Sequence, residues 1–336
     1  MKRQLGAFAA LGALVGAAHA QSSVTVFGLL DLNLRSVTTN GATVRQMGTD
    51  GLNNSRLGFR AEEDLGDGLR AGAWLEAALN PDTGSINASG KFWHRRSTVS
   101  LWNRFGELRV GRDLDPSFYN LSVFDPFGTC GVGSGFNLAS NLGSGAATLL
   151  RTDNAISYLL PGDLGGLYGQ VQVAAGEGVP GNRYVGTRLG YQAGSLNTAI
   201  AFASTRTATP DDFKLVNGGV SYDIAGVKVM GLFNRATYGA KKLLNWELGV
   251  IAPIGEVGQV RASYQRADAS GAGTDANDAR QLAIGYLYPM SKRTSLYATY
   301  SHLSNQGAAA FVVGTPPAAK AGALSSGYEF GIRHSF

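Results

Sequence analysis

Arginine is the residue type most able to do chemistry along this chain, and it recurs near acidic residues at even spacings. Arg56, Arg60 and Glu62 are separated by even numbers of residues, and so are Arg70 and Glu76. Even spacing places side chains on one face of a β-strand. A set of guanidinium groups on one face creates a positive field, which favours anions where that face lines an opening.

Enzyme motifs are missing from the sequence. It contains no G-x-S-x-G, no H-E-x-x-H and no P-loop. The four histidines are scattered and Cys130 is the single cysteine, so the chain offers no metal-ligand spacing and no internal disulfide. We therefore predict neither an enzyme nor a cofactor or metal site.

The overall charge is too mild to predict a nucleic-acid partner. The chain has 29 Lys+Arg and 24 Asp+Glu. Without Lys2 and Arg3 of a predicted leader, the counts become 27 and 24, a net charge of +3. The basic residues form no clustered tract, so the positions of the charges matter more than their sum.

Alternation of apolar and polar residues runs through most of the chain and predicts β-strands. Leu57 and Phe59, for example, alternate with Arg56 and Arg60. About sixteen such segments, each of roughly eight to twelve residues, approach the length that a tilted strand needs to cross a bilayer. Tight turns alternate with longer connections, of which Thr38–Asn53 is the first.

A soluble β-sandwich would also show alternating strands. The strand length and the repeated charges on the polar faces favour a membrane barrel instead, because charged residues avoid the lipid face. We predict an all-β fold, a 16-stranded antiparallel transmembrane β-barrel. By parity the inward charges are Asp31, Arg35, Arg56, Arg60, Glu62, Arg70, Glu76, Arg109, Arg151, Asp153, Arg188, Glu247, Arg261, Glu329 and Arg333.

The longest break in the alternation is Leu114–Leu150, which is rich in Gly, Asn and Ser but also carries aromatic residues. A loop this long in a compact array is usually functional or disordered, and its aromatic residues favour packing. We predict an external loop that folds inward and narrows the barrel. Its Asp115 and Asp125 would face the arginines and complete a transverse field.

Residues 1–20 have the pattern of a secretory signal peptide. Lys2 and Arg3 precede the apolar run Leu5–Ala17, and Ala18–Ala20 form a small-x-small cleavage pattern. We expect the mature protein, residues 21–336, to form a single barrel domain without a second domain.

Four blocks of the sequence resemble the general porin family of β-proteobacteria. The resemblance spans the mature chain and is weakest in the long loops. It implies sixteen strands, a homotrimer, a position in the outer membrane among lipid and lipopolysaccharide, and a third external loop, Leu114–Leu150, folded into the channel. The blocks are SSVTVFGLLD at 22–31, Ser55–Glu76, Arg95–Asp113 and YEFGIRHSF at the C-terminus.

Within this family the chain is most similar to an anion-selective subgroup whose constriction is lined by arginines. Arg56, Arg95 and Arg151 match such positions. The C-terminal Phe336, with His334 two places before it, resembles the assembly signal that the barrel-assembly machinery reads. These roles are implied by the resemblance.

Arg95 and Arg96 are adjacent, so a regular strand cannot direct both side chains inward. Val99 and Leu101 share the parity of Arg95, which favours Arg96, whereas the resemblance favours Arg95. A β-bulge, or a position above the membrane rim, would reconcile the two. We retain both, together with Arg60, as candidate constriction residues.

The leading functional expectation is an outer-membrane general diffusion porin. Small anionic or neutral solutes would cross a water-filled channel passively, with a preference for anions. A substrate-specific channel for small carboxylates or phosphate is the alternative. An adhesin or receptor barrel is a weaker third interpretation, because most external loops are only moderate in length.

Overall fold

The computed structural model describes residues 23–86, 90–314 and 317–336. The predicted signal peptide lies outside the described residues. None of the helices in the described ranges has the length and apolarity to cross a membrane.

In these ranges the chain forms eighteen strands, an α-helix and a 3-10 turn. The helix α1 spans Pro116–Phe124, and the 3-10 turn spans Gly135–Leu138. The strands are β1 (Ser23–Thr39), β2 (Ala42–Thr49), β3 (Arg56–Gly66), β4 (Leu69–Asn80), β5 (Ser85–Ile86), β6 (Arg96–Asn103), β7 (Gly106–Leu114), β8 (Arg151–Leu159), β9 (Leu167–Ala174), β10 (Tyr184–Ala193), β11 (Leu196–Thr205), β12 (Phe213–Ile224), β13 (Val227–Tyr238), β14 (Lys241–Ile254), β15 (Gly258–Ser270), β16 (Ala279–Pro289), β17 (Thr294–Asn305) and β18 (Leu324–Ser335).

The strands pair antiparallel in one sheet that closes on itself. β1 pairs with β18 from Leu29↔Ser335 to Thr39↔Ser325. On its other side β1 pairs first with β3 and then with β2, so β2 and β3 together form one wall strand. β5 is a two-residue piece paired with the end of β4. Merging β2 with β3 and leaving out β5 reduces the eighteen strands to sixteen, so the predicted 16-stranded antiparallel barrel is confirmed.

The prediction of a long connection at Thr38–Asn53 is wrong. β1 and β2 form a hairpin closed by Asn40 and Gly41, whose φ angles are 50° and 79°. Two positive φ angles in a two-residue loop match the twist of antiparallel strands, and Asn-Gly adopts them readily. The polar composition of β2 concealed its strand character.

The two faces of the sheet differ in the way that a barrel in lipid requires. Val99 and Leu101 on β6 are 62% and 45% exposed, whereas Thr98 and Ser100 between and beside them are buried. The same alternation recurs around the wall, so the apolar face points outward and the polar face lines the interior.

The connections between strands are short on one rim and longer on the other. β3–β4, β10–β11 and β12–β13 are joined by two residues each, at 67–68, 194–195 and 225–226. The opposite rim carries longer connections, including 115–150, 175–183 and 306–323. Short turns face the periplasm in outer-membrane barrels and long loops face outside.

The segment 115–150 packs on the polar face of the wall. Pro116 occupies the first turn of α1, where its fixed φ suits a helix start. Phe118, Leu121 and Phe124 of α1 form a cluster with Ala199 of β11 and Leu232 of β13. Further along, Val132 and Leu138 belong to a second cluster with wall residues such as Leu303. These contacts explain why the loop is folded despite its Gly and Ser content.

Candidate functional site

A cavity of about 470 Å³ lies against the polar face of the strands from β3 to β10. It gathers side chains that are widely separated in sequence, together with Leu114 and Tyr119 from the segment 114–150. Six of its residues are arginines and two are acidic: Arg56, Arg95, Arg96, Arg109, Arg151 and Arg188 against Glu76 and Asp113. We refer to these six arginines as the arginine cluster.

One carboxylate, that of Glu76 on β4, binds two arginines of the cluster. Its Oε1 accepts from Nη1 of Arg56 at 3.3 Å and also from Nε of Arg95. Its Oε2 accepts from Nε1 of Trp74 at 3.2 Å. A single negative charge is therefore shared by two guanidinium groups, and a positive excess remains.

Carboxylates compensate the arginines of β6 and β7 more completely. Arg109 contacts Asp113 at 2.6 Å and Glu107 at 2.9 Å. Arg96 lies 3.8 Å from Asp113 and places its Cζ 4.3 Å from the ring centre of Trp74. The contribution of these two arginines to the local field is correspondingly smaller.

The adjacent pair Arg95 and Arg96 both reach the cavity. β6 begins at Arg96, so Arg95 precedes the strand and is not subject to its alternation. The backbone N–H of Arg95 donates to the carbonyl of Glu76 at 3.0 Å, which holds the residue beside β4. Because Arg95 lies before the strand, both side chains reach the cavity.

Arg151 and Arg188 carry the least compensated charges of the arginine cluster. Nε of Arg151 donates to the carbonyl of Arg95 at 2.9 Å. The guanidinium of Arg188 lies 4.6 Å from the ring centre of Tyr168 and 5.1 Å from that of Tyr119. Over the residues that the structure describes, neither of these two arginines forms an ion pair with a carboxylate.

Arg109 and Arg188 were not among the candidate site residues. The alternation along each strand predicts that both side chains point into the barrel. The sequence contains no other indication that they belong to the site. Their convergence with Arg95 and Arg151 depends on the register of β7, β8 and β10. Sequence spacing does not report that register.

Side-chain amides on the far wall hold the segment 115–150 through its backbone. Asn217 donates to the carbonyl of Ser117 at 3.0 Å, and Asn245 donates to that of Leu138 at 2.9 Å. Gln281 donates to the carbonyl of Ser134 at 3.0 Å. At the barrel seam, Glu329 accepts from the N–H of Val132 at 3.2 Å.

Asp115 and Asp125 do not line the cavity, which differs from the expectation that they face the arginines. Asp115 is fully buried and neither carboxylate oxygen has a hydrogen-bond partner. Burial raises the pKa of Asp115 well above its ordinary value despite the nearby Arg151 and Arg112. Asp115 is buried within the segment 115–150 and does not line the cavity.

Asp125 has a structural environment of its own. Its carboxylate accepts from the backbone N–H groups of Phe127, Thr129 and Gly135, each at 2.8 Å. Burial is also the main cause that raises the pKa of Asp125. These bonds close a turn within the segment 115–150, and Asp125 is not among the residues that line the cavity of the arginine cluster.

Arg60 lies outside the arginine cluster. Its side chain is 49% exposed and pairs with Glu62. It lines a second cavity nearer the short-turn rim, where Arg70 and Trp102 are also found. Arg56 and Arg60 share a face of β3, but the four-residue spacing separates them by about 13 Å along the strand.

The sequence matches the family model described as Gram-negative porin over residues 7–308. The chain belongs to the Gram-negative porin family. Together with the closed sheet, this membership makes the protein an outer-membrane β-barrel. The predictions of family, fold and location are thereby confirmed.

Individual relatives support the same conclusion over the full chain. The porin is 37% identical to Outer membrane porin protein 32 of Delftia acidovorans, with 100% of each chain covered. It is 30% identical to the Major outer membrane protein P.IB of Neisseria meningitidis, over 82% of this chain and 86% of that protein.

A solved structure described as an anion-selective porin from Comamonas acidovorans superposes on this porin with a TM-score of 0.86. Its sequence identity is 35%, and 94% of this chain and 100% of that chain are covered. The trimer form of Vibrio cholerae OmpT, at 16% identity and a TM-score of 0.67 over 94% and 99% of the chains, shares the fold.

The C-terminus of the porin completes the barrel seam. The backbone N–H of Phe336 donates to the carbonyl of Gly28 at 3.0 Å, and Gly28 donates back at 3.2 Å. Nδ1 of His334 lies 2.9 Å from Oγ1 of Thr294. Phe336 is 49% exposed. These contacts place both residues of the predicted assembly signal at the short-turn rim.

Proposed function

We propose that this porin is a general diffusion channel with a preference for anions. The observation that carries the proposal is the arginine cluster, in which six guanidinium groups and only two carboxylates line one cavity. Guanidinium groups remain protonated at every physiological pH. Small hydrophilic solutes would cross passively, and anions would meet a favourable field.

The proposed constriction lies between the arginine cluster and the segment 114–150. Leu114 and Tyr119 of that segment share the cavity with the arginines, and its backbone is bonded to the polar face of the far wall. These contacts support an inward-folded loop that narrows the channel. We propose Arg56, Arg95, Arg96 and Arg151 as constriction residues and omit Arg60, Asp115 and Asp125.

The relatives favour the same selectivity. The Comamonas acidovorans structure is described as an anion-selective porin, and its 35% identity extends over almost the whole chain.

We also propose a homotrimer, surrounded by outer-membrane lipid and lipopolysaccharide and inserted by the barrel-assembly machinery through Phe336 and His334. The resemblance of the C-terminal block carries this last proposal.

The selectivity test is a reversal potential across a planar bilayer in a KCl gradient. The wild type should show a reversal potential with the sign of chloride permeation. The variant R56Q/R95Q/R151Q should lose most of that preference. A charge about 7 Å from the ion contributes about 0.6 kcal/mol at the dielectric constant of water. Three charges, halved by screening in about 0.1 M salt, stabilise an anion by about 0.9 kcal/mol and destabilise a cation by about the same amount. The permeability ratio should therefore change by about twentyfold.

A matched control removes three outward-facing arginines, as R235Q/R266Q/R280Q. These side chains lie on the exposed face of β13, β15 and β16, so the same loss of net charge should leave the reversal potential nearly unchanged. Cation-selective wild-type channels would contradict the proposal. Block by micromolar phosphate or dicarboxylate would instead indicate the substrate-specific alternative.

A further inference from the structure

A second cavity lies below the arginine cluster, at the short-turn end of the barrel interior. Its volume is about 620 Å³. It is lined by the ends of β3, β4, β6 and β7 and by residues 159–163 after β8. Two tryptophans, Trp74 and Trp102, are among its lining residues.

Indole rings on the polar face of this barrel require an explanation. Trp74 and Trp102 occupy the inward-facing positions of β4 and β6, on the face that is polar in most outer-membrane barrels. Phe27 of β1 meets Trp74 edge to face at 5.3 Å between ring centres. Together Phe27, Trp74 and Trp102 form what we call the aromatic strip.

Glycine on the neighbouring strand makes room for the aromatic strip. A Cβ atom added at Gly72 would lie 2.6 Å from the ring of Trp102. The missing side chain at Gly72 therefore lets the Trp102 ring approach the backbone of β4 closely. Trp102 also lines the cavity, where Arg70 stacks on part of its ring.

Arginines stack on the aromatic strip. The Cζ of Arg60 lies 5.3 Å from the ring centre of Trp74, and the Cζ of Arg70 lies 5.1 Å from that of Trp102. The two arginine side chains are about half exposed, at 49% and 51%, and both pair with the single carboxylate of Glu62. Each retains donors that a ligand can reach.

The charge of this cavity is positive as a whole. Its lining contains five arginines and two acidic residues, Glu107 and Asp163. Glu107 is already bonded to Arg109 and to Ser100. A small anion entering here meets guanidinium donors and a flat apolar surface at the same place.

We propose that this cavity is a binding site for planar aromatic carboxylates. The carboxylate accepts from Arg60 or Arg70 in the bidentate geometry that guanidinium favours, and the ring stacks on Trp102. The proposal rests on the proposed function, because the anion reaches this site through the channel. It adds a preference for planar rings that a general field does not provide.

The test compares two carboxylates of equal charge and similar size, benzoate and cyclohexanecarboxylate, as blockers of chloride current. Only benzoate is planar. In wild-type channels the half-blocking concentration of benzoate should be about fivefold lower, as expected for one aromatic contact. In W102L this advantage should disappear, whereas W102F should retain most of it.

W246L is the matched control, because Trp246 shares the outer face with Leu244 and Leu248. Its benzoate block should equal that of the wild type. Equal block by the two carboxylates in wild-type channels would overturn the proposal without using any variant. That result would leave the proposed function intact if chloride still determines the reversal potential, so the two failures are distinguishable.

Discussion

Glu76 shows how single residues set the field of the arginine cluster. Two guanidinium groups share its Oε1, while Trp74 fixes its Oε2. Among the described residues, Arg56 and Arg95 form an ion pair with no carboxylate other than Glu76. The arginines are thus held in place by hydrogen bonds while part of their charge stays available to solutes.

His94, beside the arginine cluster in the connection before β6, should make stability depend on pH. Burial, and then repulsion from Arg112, Arg151 and Arg95, lower its pKa to about 4. In the unfolded chain the imidazole titrates near pH 6.5. The unfolded state therefore binds this proton first, and the free energy of unfolding should fall as the pH drops from about 6.5 to about 4.

The measurement is denaturant unfolding in detergent micelles for the wild type and H94Q. The wild type should lose more stability than H94Q between pH 7.5 and pH 4.5, since glutamine does not titrate. Between pH 9 and pH 8 the difference between the two proteins should stay constant. A pH-independent difference throughout would show that this imidazole is not shifted.

At the scale of elements, contacts with the barrel wall hold α1 and the loop that follows it in place. Asn217 of β12 and Asn245 of β14 donate to carbonyl groups of the segment 115–150. Each such bond contributes about 1 kcal/mol. Phe124, which is fully buried, adds apolar contact with the same wall.

The variant N217L/N245L should loosen this loop while the barrel still forms. We expect a higher single-channel conductance and more current noise, because two of the loop's anchors are lost. N305L is the matched control: Asn305 donates to carbonyls of Phe311 and Ala323 in a different loop. Unchanged conductance in N217L/N245L would mean that the segment 114–150 does not control the opening.

At the scale of the whole molecule, the closed sheet removes the edges through which strands aggregate. Its final contacts are the pairing of β1 with β18 and the backbone bonds between Phe336 and Gly28. The outer face presents apolar residues around the wall, as lipid requires. The proposed trimer would cover part of this face.

If the porin is a homotrimer, each insertion into a bilayer should open three channels. Purified porin inserted into a planar bilayer should show three equal steps per insertion event, because each barrel carries its own cavity. Native mass measurement in detergent should give three times the mass of the mature chain. Single steps together with a monomer mass would contradict the trimer and leave the channel proposal untouched.

Much of this protein is determined by local sequence pattern. Alternation predicted the barrel, and the exclusion of charge from lipid predicted which arginines point inward, including Arg109 and Arg188. Both inferences rest on neighbouring residues along one strand. The hairpin at Asn40 escaped detection because its second strand is polar and lacks the alternation on which the prediction relied.

Only the tertiary structure decided which inward residues meet. Arg56 and Arg95 lie far apart in sequence but meet at Glu76, because strand pairing and register bring β3, β4 and the start of β6 together. Asp115 and Asp125 were expected to face the arginines, yet packing of the loop buries both. Register and burial depend on contacts between residues far apart in the chain, and those contacts are absent from local spacing.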